Sequence, residues 1–140
     1  MSGESLSREW LDIAEIDLNT AVFLLDMRPV PIEVICYHCE QAAEKLLKAV
    51  LVHHDIEAPK THDLVHLCKL CMEVEPDYEQ LMDACAELTP YGVQIRYPSH
   101  LELEGSDMAS ALAECRKLDG FIRERLIFEE EQTNQGPPIE

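Results

Sequence analysis

Apolar side chains recur every three or four residues along most of this chain, which is the repeat of one helix face and not the alternation of a strand. Leu11, Ala14, Leu18, Val22 and Leu25 are spaced by three, four, four and three, and predict a first helix from about Ser7 to Met27. Ser7 is the expected N-cap, and Arg28-Pro29 the stop. A second helix is expected from Pro31 to about His54. It carries two adjoining apolar rows: Ile35, Cys39, Ala42, Leu46 and Ala49 beside Cys36, Ala43, Leu47 and Val50. Two rows imply a central helix with neighbours on more than one side, and the small residues Cys39, Ala42 and Ala43 allow close approach.

The pattern continues after a connection that holds Pro59. Thr61 is the expected cap of a third helix from His62 to about Val74, burying Leu64, Leu67, Cys68 and Cys71. A fourth is expected after Pro76, with Asp77 and Gln80 at capping-box spacing, Tyr78, Leu81, Met82, Cys85 and Leu88 inward, and Pro90 breaking it. Pro90, Gly92, Pro98 and Gly105 make the next stretch irregular. A last helix is expected from Ser106 to about Phe128 through Met108, Leu112, Cys115, Leu118, Ile122 and Leu126. The fold class is therefore all-α, an up-and-down bundle of four to five helices in one domain over residues 1–128, with 129–140 an acidic disordered tail.

Composition sharpens this picture. Aromatics are 6% of a chain that is 46% hydrophobic, so the core must be aliphatic and sulfur-bearing. The net charge is -17, from 28 acidic and 11 basic residues, which excludes a broad nucleic-acid-binding face. The first residues lack an export signal, and no apolar run approaches the roughly 18 residues of a membrane span, so a soluble cytoplasmic protein is expected. Two CxxC pairs, Cys36/Cys39 and Cys68/Cys71, have zinc-like spacing. Their positions fall on apolar helical rows, so packed, reduced thiols are expected and neither metal nor cofactor.

Candidate chemistry sits on three segments. Tyr37, Gln41, Glu44 and Lys48 form a polar stripe on the second helix, with His38 and Lys45 beside it. A solvated face with a Glu44/Lys48 i,i+4 pair is the simple reading; a wall meeting phosphate or carboxylate is the functional one. Lys60, Thr61, His62 and Asp63 open the third helix, whose free N–H groups suit an anion. Arg96 and His100 lie in the irregular stretch, where a guanidinium stabilises phosphate charge while an imidazole moves protons.

Three segments together resemble the HEPN family (higher eukaryotes and prokaryotes nucleotide-binding): Trp10-Leu11 with Ala14-Glu15 and Asp17-Leu18, then Tyr37 to Lys45, then Lys60-Thr61-His62-Asp63-Leu64. Arg96-Tyr97-Pro98 adds to the match, which spans Ser7 to Phe128. The resemblance implies a helical bundle that pairs as a homodimer, a minimal nucleotidyltransferase as partner, and either nucleotide binding or metal-independent ribonuclease toxicity within a toxin-antitoxin pair. The family's ribonuclease signature separates an Arg and a His by four to six residues. Here only three residues, Pro98 among them, separate Arg96 from His100, so that assignment is not carried over. His38, Glu44, Lys45, Lys48, His62, Asp63, Arg96 and Tyr97 are the expected nucleotide-binding residues, in a module that binds and does no chemistry; the ribonuclease toxin using Arg96 and His100 is the alternative.

Overall fold

The computed structural model describes residues 2–92 and 102–126. Five α-helices carry them: α1 (Gly3–Phe23), α2 (Ile32–His53), α3 (Leu64–Val74), α4 (Met82–Leu88) and α5 (Gly105–Arg125), and no strand occurs among the described residues. Short 3-10 turns at Leu24–Asp26, Pro76–Leu81 and Thr89–Gly92 join them. The bundle is the expected one. The last helix ends at Arg125, short of the expected Phe128, which lies with the acidic tail outside the described residues.

The central role of α2 follows from its two apolar rows, whose nine residues are all at 0% exposure. It packs against α1, α3, α4 and α5, with α1 its largest partner. Ser7, Ala14 and Ala21, each seven residues apart, are the buried small side chains of α1, and they let its backbone come close to α2. This corrects two expectations. Ser2 is the N-cap, its Oγ accepting from the Ser5 N–H at 3.1 Å, while Ser7 is interior and donates to the Ala49 carbonyl at 2.8 Å. Val22 is 36% exposed and Ala21 takes the buried place, because the close α1/α2 approach selects small residues over the larger stripe.

The other helices differ at their starts. Asp63, not Thr61, caps α3, accepting from the N–H groups of Val65 and His66 at 3.0 and 3.3 Å. Thr61 instead accepts from the Asp63 N–H. Asp77 forms no capping box: the residues after Pro76 are a 3-10 turn, and Asp77 with Glu75 pairs with Arg125 of α5. The start of α5 is a Glu104/Asp107 capping box, earlier than Ser106 predicts. The apolar faces of these helices are as expected: Leu64, Leu67, Cys68, Cys71, Tyr78, Leu81, Cys85, Leu88, Cys115, Leu118 and Ile122 all sit at 0% exposure. All six cysteines are free and buried.

One face of α1 has no partner among the described residues. Ile13, Ile16 and Phe23, with Met27 just beyond the helix, are 43%, 65%, 81% and 54% exposed. The spacing of Ile13, Ile16 and Phe23 by three and seven keeps these three on one side of α1.

Candidate functional site

The polar stripe of α2 is not a solvated face. Glu40, Glu44 and Lys48 are buried, at 0%, 3% and 8% exposure. They sit at successive i,i+4 positions, so one side of a buried helix carries a ladder of charge-bearing groups.

Their partners come from α2 itself, from α1 and from the connection before α3. Lys48 Nζ donates to Glu44 Oε2 at 3.0 Å and lies over the Trp10 ring of α1 at 5.6 Å from its centroid. The other carboxylate oxygen of Glu44 faces His62 Nδ1 at 2.7 Å. That histidine comes from the connection before α3, so residues 18 apart in sequence meet in a partly buried pair. Lys45 Nζ donates to Gln41 Oε1 at 2.9 Å and stands 4.0 Å from both Asp17 Oδ2 and Glu44 Oε2. Asp17, on α1, accepts from His38 Nδ1 at 3.0 Å. A carboxylate accepts and cannot donate, so both histidines present Nδ1–H to their acids.

Glu40 ends the network. Its Oε1 accepts from Gln41 Nε2 at 2.8 Å, while its Oε2 is buried without a partner among the described residues. Burial pushes its carboxyl up to about 8, with the charge of Glu44 adding to the rise and the Gln41 hydrogen bond and the two lysines opposing it. At neutral pH Glu40 is therefore largely a neutral acid. The turn Thr89–Gly92 closes over it: a Cβ at Gly92 would stand 2.6 to 2.8 Å from the Glu40 carboxyl group, space that only a glycine leaves.

The expected site residues thus divide. His38, Glu44, Lys45, Lys48 and His62 come together through Asp17, Gln41 and Glu44. Asp63 does not join them, because its carboxylate caps α3 and occupies the N–H groups on which an anion would dock. Arg96, Tyr97 and His100 lie outside the described residues. Sequence reasoning misses Glu40 and Asp17. Their signal is present, since Glu40 stands one turn before Glu44 and Asp17 falls off the apolar stripe of α1. A surface cavity of about 410 Å³ lined by Glu75, Phe121, Glu124 and Arg125 shares no residue with this network.

The arrangement holds two ammonium groups, two imidazoles and three carboxyl groups in a half-buried patch with His62 at its open edge, where 60% of that side chain is exposed. Such a patch offers an anion two cations already held in place, and offers a cation two carboxyl groups and an imidazole.

Comparison with known proteins adds to this geometry. The sequence profile of the family described as HEPN domain matches residues 7–125. Among curated proteins none matches the chain. Among solved structures, the crystal structure of TT1696 from Thermus thermophilus superposes with a TM-score of 0.70 at 24% identity, over 86% of this chain and 98% of that one. At that identity the likeness concerns the fold.

Proposed function

The chain belongs to the HEPN domain family, and from that premise we propose that it is a cytoplasmic, homodimeric binding module for a phosphate-bearing ligand of the nucleotide class. The observation that carries this reading is the convergence of Lys45 and Lys48 with His38 and His62 in one half-buried patch around Asp17 and Glu44. A phosphate at the open edge takes over the positions that the Asp17 and Glu44 carboxylates hold around the lysines, a charge-assisted exchange within a poorly hydrated patch. Pairing is supported by the apolar row of Ile13, Ile16 and Phe23 on α1, with Met27 just beyond it, exposed side chains of the kind that a second copy covers. The net charge of -17 suits a further partner with a basic face, and a minimal nucleotidyltransferase is the partner that the family resemblance implies.

A thermal-shift titration with ATP and other nucleotides tests the ligand. Binding to the native state at a hundredfold excess over Kd adds about 2.7 kcal/mol, so Tm should rise by several degrees, and the rise should vanish in Lys45→Ala. No rise at millimolar nucleotide overturns the reading. RNA cleavage that is lost on Arg96→Ala or His100→Ala also overturns it, in favour of the ribonuclease toxin.

A further inference from the structure

Glu40 and Glu44 are one helical turn apart on α2, so their side chains leave the helix on the same side. The connection before α3 brings His62 to that side. One carboxyl oxygen from each glutamate and one ring nitrogen of His62 lie within 4.8 Å of one another. Glu40 is fully buried, and its Oε2 has no hydrogen-bond partner among the described residues. A buried polar atom left unpaired is costly unless something satisfies it. Neither Gly92, which offers no side chain, nor Gln41, which bonds the other oxygen, does so.

From this juxtaposition of two carboxyl groups, an imidazole and one orphaned buried oxygen, we propose that Glu40, Glu44 and His62 bind a first-row divalent transition ion such as Zn²⁺. The donor set decides the class of ion. An imidazole beside carboxylates suits zinc and its neighbours, whereas calcium and magnesium take all-oxygen shells. Ligand atoms at about 2.0–2.2 Å from a tetrahedral ion stand about 3.4 Å apart. The present spread closes to that by a swing of His62, whose side chain is 60% exposed and lies on a connection. Three protein ligands leave a fourth position open toward solvent at the same edge.

Charge sets the conditions of binding. Coordination needs Glu40 as the carboxylate, so the ion and a proton compete for it. Lys48 stays on Glu44 Oε2 at 3.0 Å and Lys45 remains 4.0 Å from the same oxygen, so both ammonium groups oppose the ion and weaken it relative to a purely acidic site. Glu44 Oε1 accepts from His62 Nδ1–H at 2.7 Å, so coordination by this pair replaces that hydrogen bond, and Oε2 stays with Lys48.

Calorimetric titration of the chelator-treated full chain with ZnCl₂ at pH 7, in two buffers of different protonation enthalpy, reads affinity and proton release together. One ion per chain is expected, with net release of protons. Glu40→Gln, close in shape to the neutral acid, and His62→Ala should each weaken binding at least about tenfold while leaving the helical circular dichroism unchanged. Should Glu40→Gln fail to fold, His62→Ala decides alone, since its side chain is mostly exposed. Cobalt substitution separates this site from the buried thiols: visible bands without an intense near-ultraviolet thiolate band are expected. No binding, binding indifferent to His62→Ala, or a thiolate band overturns the proposal. Nucleotide is absent throughout, so such a failure leaves phosphate binding by Lys45 and Lys48 untouched.

Discussion

The two sides of α2 are both buried, yet they are buried for opposite reasons. Ile35, Leu46, Leu47 and Leu51 lose water at a gain, about 25 cal/mol for each Å² of apolar surface removed. Glu40, Glu44 and Lys48 lose it at a cost, which their partners only partly offset. A helix wrapped on all sides would be most stable with apolar residues throughout. The polar side therefore marks where the fold gives up stability, and such places concentrate function.

Substitutions on each side separate these two roles. The largest loss is expected on the apolar side: Leu46→Ala, at a position with 0% exposure, should cost about 2–5 kcal/mol in denaturant unfolding. A loss under about 1 kcal/mol would mean that the row is loosely packed and the contrast is false.

On the polar side the expected effect is a pH dependence. The folded carboxyl of Glu40 titrates at about 8 and its ordinary value is 4.5. Below 4.5 the group is protonated whether folded or not. Between 4.5 and 8 the unfolded chain gives up the proton first, so stability falls as pH rises, and above 8 the fall levels off. The drop should be on the order of a few kcal/mol. Glu40→Gln should flatten it across that window and be the more stable protein at about pH 8.5, just above the folded value. An unchanged slope would show that Glu40 is not a neutral buried acid.

The smallest effect lies at the rim of the polar side. Asp63→Ala should remove the α3 cap at a cost of about 1 kcal/mol, and Asp63→Asn should restore most of it. Neither should alter nucleotide or zinc affinity. A change in either affinity would draw Asp63 into the site beside His62.

The same contrast explains what can be read from residue order alone. The apolar rows of α2 are legible because burial on two sides imposes a local period, and a local period needs no knowledge of the neighbours. Cysteines on those rows are legible as packing for the same reason. Ser7 and Val22 are misplaced by that reasoning because the α1/α2 distance decides which residues fit, and that distance is a property of the pair. Glu44, Lys45, Lys48, His38 and His62 are picked out by chemistry and motif, and the fold joins them. Glu40 escapes notice because an acid on a polar stripe looks solvated. Its burial depends on the Thr89–Gly92 turn, some fifty residues later, arriving with a glycine opposite its carboxyl.

Six sulfhydryls sealed in the interior also make this molecule its own stopwatch. Burial raises Cys36 to about 12 and Cys71 likewise above its ordinary value, which leaves little of the reactive anion. An alkylating dye added outside must wait for the helices to part, so the tempo at which it attaches would report how often the core breathes.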